Sequence, residues 1–271
     1  MGREHAEAYR ECGVPVWAAI DIEPYKADAF AQDFGAGVSG TEIGFCEGAT
    51  ERTVVSVCSW DDAHAQQIIS ALTVGNTVIA EKPLCLTFEE LGQIVNLGGK
   101  LYCNLPLRHT DTLSEEKPYH VQADYIWGRA DQLTGWRKDC PGYSFVLGGG
   151  VHVADLICRR GRPVFVSALG GDPTGFGAHT IVTVSGEYDD GRTFGMSINC
   201  ANVGEHTAHV VEWFARGRRE YRRDGSDKRA TVRAAIRGEP MDDPAGIAAH
   251  ALCFAIERSL VNRRVEQVIY P

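Results

Sequence analysis

The sequence predicts an α/β plus α+β protein: a parallel sheet covered by helices, followed by a domain with a large, mainly antiparallel open sheet. Two textures predict it. The first hundred residues alternate helical and strand periodicities, and from about residue 105 longer stretches rich in β-branched and aromatic residues are separated by glycine turns. No Pro/Gly/Ser linker separates the two parts, 1–104 and 105–271, so they are expected to pack together.

Residues 3–12 read as a helix, and 14–20 as a short apolar strand ending at Asp21. Pro24 then opens a helix with Ala27, Phe30, Ala31 and Phe34 on one face, which Gly35 closes. The next strand is 53–58, after which Ser59 is placed to cap a helix whose Ile68, Ile69 and Leu72 face inward. A strand at 77–80 precedes Thr87 and Glu90, the T-x-x-E capping box of a helix reaching about Asn96, and 100–104 is a further strand. In the second part the expected strands are 120–127, 164–170, 179–187, 193–201 and 207–215, with helices at 150–160 and 244–261. Asp189-Asp190-Gly191 reads as a hairpin turn.

The net charge of −9 argues against a general nucleic-acid or anionic-membrane partner, because phosphate binding needs a basic face. The run 216–233 departs from this, with seven Arg and one Lys against three acids; it reads as a solvated hairpin or loop, or as a docking surface for an anionic sugar or nucleotide. The nine cysteines are irregularly spaced, contain no C-x-x-C pair and follow no apolar signal segment, so they are expected to be reduced, with no metal site. No stretch reaches the roughly 20 apolar residues of a membrane span, and a cytoplasmic protein is expected.

Ala80-Glu81-Lys82-Pro83 stands at the end of a buried-looking strand, the side of an open α/β sheet where ligands bind. Lys82 there is a candidate to polarise or protonate a hydroxyl oxygen; in isolation it also reads as a solvated lysine. In Gly148-Gly149-Gly150-Val151-His152-Val153-Ala154-Asp155, the glycines permit close approach of backbone to a ligand, and His152 is able to exchange a proton near neutral pH. A histidine satisfied by hydrogen bonds at a helix start is the alternative. Asp155, one turn on, is fit to orient the imidazole or to serve structure.

Together the two motifs resemble the Gfo/Idh/MocA family of nicotinamide-dependent sugar oxidoreductases. Further runs, Asn104-Leu105-Pro106-Leu107-Arg108, 123–129, Gly135-Trp136-Arg137 and Tyr143-Ser144, are similar to a branch of that family associated with surface-sugar biosynthesis. The resemblance implies a Rossmann-like first domain, with Lys82, His152 and Asp155 catalytic and Arg108, Tyr125, Trp136 and Arg137 near the substrate. It further implies that Gly2, Asp21, Ser59, Trp60 and Glu81 border an NAD or NADP cofactor. Position 148, an Asp in many members, is Gly here. Met1-Gly2-Arg3-Glu4-His5-Ala6 matches the end of the family's G-x-G-x-x-G-x-x-H-A pattern, so Gly2 corresponds to the third glycine. The first two glycines and the first strand have no counterpart in these residues, which leaves the neighbouring strands with unpaired edges unless they close up or another chain fills the gap.

The expected activity is hydride transfer between NAD(P) and a sugar or nucleotide-sugar carbon, in a homodimer or homotetramer. The alternative is a cofactor-independent lyase, epimerase or cyclase, or a non-catalytic partner subunit, on the same fold.

Overall fold

The computed structural model describes residues 1–40, 53–130, 143–223 and 226–271. Its first part alternates helix α1 (Gly2–Glu11), strand β1 (Ala18–Ile20), α2 (Pro24–Phe34), β2 (Val38–Gly40), β3 (Val54–Val57), α3 (His64–Thr73), β4 (Thr77–Ala80), α4 (Phe88–Leu97) and β5 (Leu101–Cys103). Local chemistry fixes several boundaries. Gly35 closes α2 in the left-handed conformation, φ 71°. The α4 capping box is complete: Thr87 Oγ1 accepts from Glu90 N at 3.2 Å, and Glu90 Oε2 accepts from Thr87 N at 3.0 Å. Ser59 caps no helix. Its hydroxyl donates to Gln67 Oε1 at 2.6 Å, and a 3₁₀ turn, Asp61–Ala63, leads into α3 instead.

The parallel strands form two separate sheets, β1–β2 and β3–β4–β5. Among the described residues, β1 pairs only with β2, and β3 only with β4. Among the described residues no strand pairing joins the two sheets.

The second part contains β6 (His120–Arg129), α5 (Val151–Cys158), β7 (Pro163–Gly171), β8 (Ile181–Tyr188), β9 (Thr193–Asn199), β10 (Val203–Phe214), β11 (Gly217–Arg223), α6 (Ala230–Arg237), α7 (Ile247–Asn262) and β12 (Glu266–Gln267). Its seven-stranded sheet has the order β11-β10-β6-β9-β8-β7-β12. Every pairing is antiparallel except β6 with β9. The β8–β9 turn is the expected hairpin, with Gly191 at φ 81° and its N–H bonded to Tyr188 O at 3.0 Å. One apolar core runs from Val57 in β3 through α5 and α7 to Val268, so the two parts share an interior.

The basic run forms the second strand of the β10–β11 hairpin, largely exposed, and the start of α6, so the expected solvated hairpin is found. Four of its arginines make ion pairs within the chain: Arg219 with Glu212, Arg222 with Glu205, Arg229 with Glu4 and Glu11, and Arg233 with Glu11 and Asp227. These pairs tie β11 to β10 and α6 to α1. Beneath β11, Arg160 spans Asp111 and Glu212, all three side chains 1–2% exposed. A buried guanidinium between two carboxylates is tolerated because its donors and their oxygens are matched. Charged residues along an edge strand also discourage pairing with another sheet.

Candidate active site

Lys82 follows β4, and the Lys82–Pro83 peptide is cis. The ammonium donates to Gly148 O at 2.6 Å. Gly148 lies in a π-helical turn, Val146–Gly150, that runs directly into α5. Such wide turns recur at functional sites because they disturb the regular carbonyl ladder. His152 therefore stands one turn beyond the carbonyl that holds Lys82.

The three glycines are buried, and at positions 148 and 150 the surroundings leave no room for a side chain. A Cβ on Gly148 would run into the Tyr143 hydroxyl, and one on Gly150 into Ile198; at Gly149 it would lie 3.5 Å from Tyr125 Cε1. The turn is thus packed from three directions, and the phenol of Tyr143 occupies the space where a side chain at position 148 would start.

His152 is half-buried, and its Nδ1, shielded from solvent, has no hydrogen-bond partner among the described residues. Burial, together with the charge of Lys82, pushes its pKa down to about 3. The imidazole is therefore neutral at pH 7 and holds an unused buried polar atom, which normally demands a partner. Tyr125, on β6, sets its ring edge-on to His152 with centroids 5.9 Å apart.

Asp155 and Arg108 meet each other. Arg108 Nε and Nη2 reach the two Asp155 oxygens at 3.1 and 2.5 Å, and Nη1 donates to Asp243 O at 3.0 Å. Burial pushes the Asp155 carboxyl up while Arg108 pulls it down. The two-pronged geometry is that of an ionised pair, and the guanidinium stays charged. Asp155 thus binds Arg108, not His152, and the Arg108 guanidinium is engaged within the fold. Trp136 and Arg137 lie outside the described residues.

Glu81 is buried against α1. It accepts from Asn104 Nδ2 at 2.7 Å and meets His5 Nε2 at 3.2 Å, while His5 Nδ1 meets Ser56 Oγ at 2.8 Å. Burial opposes both charges, but the pair overcomes it: Cys58 and Glu81 shift His5 upward, and His5 holds the Glu81 carboxyl low. This ionic pair anchors the residue before Lys82. Sequence reasoning missed it, although His5 and Glu81 both lie in the quoted motifs. It also missed His206, on β10, whose Nε2 lies 3.4 Å from the Tyr125 hydroxyl.

Of the other expected cofactor residues, Asp21 lies just beyond β1, with Oδ1 accepting from Glu23 N at 3.0 Å. Trp60 is exposed. Gly2 begins α1, whose N-terminus has no side-chain cap. A Cβ at Gly2 would make only ordinary contact with Phe30 and Cys58. Asp21 thus leaves a half-buried carboxylate just beyond β1, and Lys82 stands beside a histidine with an unmet buried nitrogen.

Residues 1–105 match the family model described as oxidoreductase family, NAD-binding Rossmann fold (Gfo/Idh/MocA). The chain is 26% identical over 166 residues to 1,5-anhydro-D-fructose reductase of Ensifer adhaerens, covering 55% of this chain and 50% of that protein. It is 31% identical over 101 residues to an inositol 2-dehydrogenase of Pseudomonas syringae, 35% of this chain and 29% of the other. The chain thus spans half the length of the first relative and less than a third of the second. In fold it is similar to scyllo-inositol dehydrogenase from Lactobacillus casei with bound NAD(H) and scyllo-inositol, at TM-score 0.82 and 14% identity, covering 98% of this chain and 96% of that one. It is likewise similar to the WlbA dehydrogenase of Chromobacterium violaceum in complex with NADH and UDP-GlcNAcA, at TM-score 0.83 and 16% identity, covering 99% and 93%. No helix among the described residues is long and apolar enough to cross a membrane.

Proposed function

We propose that this chain, whose residues 1–105 match the Gfo/Idh/MocA oxidoreductase family model, oxidises or reduces a hydroxyl-bearing carbon of a sugar, nucleotide sugar or cyclic polyol, with Lys82 and His152 handling the proton. The observation that carries this reading is the placement of a lysine ammonium on Gly148 O, one turn from an imidazole with an unpartnered buried Nδ1. Bound NAD(P), bordered by Asp21, Trp60, Ser59 and Gly2, would accept or donate the hydride. Lys82 donates a hydrogen bond to the substrate oxygen and stabilises negative charge as it develops there. His152, neutral, accepts the hydroxyl proton on its imidazole in the oxidative direction and returns it in the reverse. Asp155 and Arg108 form a buried brace under the α5 helix that carries His152. Glu81 acts through His5 to fix the backbone at Lys82.

In this reading residues 1–104 supply the cofactor side and 105–271 the substrate side. The seven-stranded sheet bears exposed Phe165, Leu169 and Ile181, which fit burial in a homodimer or homotetramer. The separation of β1–β2 from β3–β5 favours a second reading, in which the same Lys and His act without a dinucleotide as a lyase, epimerase or cyclase. Absorbance at 340 nm with NAD⁺ or NADP⁺ and a panel of inositols, sugars and nucleotide sugars separates the two. Turnover that falls about 100-fold or more in Lys82→Met and His152→Gln supports the first. Substrate conversion with no absorbance change supports the second.

A further inference from the structure

The carboxyl group of Glu257, on α7, meets the turn that holds Lys82. Its Oε1 accepts a short hydrogen bond from the Ser144 hydroxyl. Ser144 Oγ in turn accepts from Val146 N at 3.0 Å and Leu147 N at 3.3 Å, and Ser144 O accepts from Gly148 N at 2.7 Å. Gly148 O then receives the Lys82 ammonium at 2.6 Å. A continuous series of hydrogen bonds therefore joins Glu257 to Lys82.

The chemistry of each link fixes its direction. Residues 145–158 form one helical run, in which the π turn leads into α5, and Ser144 immediately precedes it. A hydroxyl oxygen has two lone pairs, and here both meet backbone N–H groups of the first turn, so what remains to Ser144 is its proton. Its partner must therefore accept, as a carboxyl oxygen does. Glu257 thus sets the hydroxyl so that its lone pairs face the N–H groups that a helix start leaves without an internal partner. A negative group near a helix N-terminus is also favourable in its own right.

The same helix grips the turn at a second point. Cys253, one turn before Glu257 on the same face of α7, places Sγ 3.5 Å from Val146 O. Burial pushes the Glu257 carboxyl up, while Ser144 and His179 pull it down. Holding a carboxyl out of water is costly, and its hydrogen bond to Ser144 offsets part of that cost. We propose that Glu257 is a positioning residue: through the Ser144 hydroxyl it fixes the turn at 146–150 and so sets where Gly148 O holds the Lys82 ammonium. This inference rests on the oxidoreductase reading for the task that reading gives Lys82, and adds what sets the geometry of that lysine.

The test reads the Lys82 ammonium directly. The purified chain is methylated with formaldehyde and a borane, and each lysine is followed by peptide mass spectrometry, with exposed Lys26 and Lys117 as references. Wild type, Glu257→Met, Glu257→Gln and Ser144→Ala are compared, each with its thermal midpoint and with kcat and KM at 340 nm on a panel of inositols, sugars and nucleotide sugars. Met keeps the length of the side chain and removes the acceptor, whereas Gln keeps an acceptor and removes the charge. Losing one hydrogen bond shifts an equilibrium about 2- to 10-fold. Glu257→Met and Ser144→Ala are expected to raise Lys82 methylation by that factor with Lys26 and Lys117 unchanged. They are also expected to lower kcat about 10-fold with KM within about twofold, because the lysine is misplaced rather than lost. Glu257→Gln restores most of both. Lys82 methylation that stays at the wild-type rate in Glu257→Met and Ser144→Ala overturns the inference, even where the thermal midpoint falls, since Glu257 then serves structure alone; the oxidoreductase reading survives that result. Wild-type protein inactive on every probe with both cofactors overturns that reading, and the methylation rates still decide whether Glu257 positions Lys82.

Discussion

Replacing Asp155 with Asn separates a structural from a chemical role for two residues that the motifs place at the site. In the structure the Asp155 and Arg108 side chains are 4% and 5% exposed and share two contacts, at 2.5 and 3.1 Å. Removing one charge leaves the other buried without its counter-ion, which typically costs about 3–5 kcal/mol. In a chain of this size that corresponds to a fall of about 10 °C in the thermal midpoint. Arg108→Met is expected to cost a similar amount. The double variant Arg108→Met/Asp155→Leu removes both charges and is expected to recover to within about 1–2 kcal/mol of wild type, because apolar side chains of similar volume replace a buried pair at little cost. Urea denaturation followed by far-UV circular dichroism measures all three. If Asp155→Asn keeps wild-type stability but loses turnover, Asp155 takes part in the chemistry and the bracing role is wrong.

His250 makes stability depend on pH. Its Nε2 accepts from Leu84 N at 3.0 Å, just beyond Lys82–Pro83, and burial pushes its pKa from 6.5 down to about 4. As pH falls from 6.5 towards 4, the unfolded chain gains a proton that the folded one refuses, so stability drops by about 2 kcal/mol by pH 5. His250→Gln is expected to remove that part of the slope in urea titrations at pH 7 and pH 5; an identical slope would rule out His250 as its source. Gly148→Ala, forcing a Cβ against Tyr143, should cost about 1–3 kcal/mol. The same substitution in a Tyr143→Ala background should be nearly neutral, and an equal cost in both would show that the two residues do not compete for space. Light scattering on the purified chain is expected to give a dimer or tetramer, and a clean monomer would leave the exposed sheet face unexplained.

What could be read from the sequence follows the range of the interactions. The α4 cap was legible because Thr87 and Glu90 are three residues apart, and the β8–β9 turn because Asp190-Gly191 carries its own conformational preference. Helix α6 was hidden within a basic run: its pattern is set by Val232 meeting Ala8 and Tyr9 of α1, and by Arg229 and Arg233 meeting Glu4 and Glu11. No local periodicity reports such partners. Lys82 and His152 stood out through their motifs, but the mutual capture of Asp155 and Arg108 depends on how α5 lies against the turn at 106–109. Position 206 offered no signal, since its partner Tyr125 is 81 residues away and its aim depends on a bulge in the β6–β10 ladder.

The central claim, that this chain works with a nicotinamide dinucleotide at the Lys82–His152 site, is tested most directly by calorimetric titration of the purified protein with NAD(H) and NADP(H). The account predicts binding at micromolar concentration, weakened about tenfold or more in Asp21→Ala. No heat of binding at millimolar cofactor would contradict it and leave the lysine and histidine to a reaction without hydride transfer.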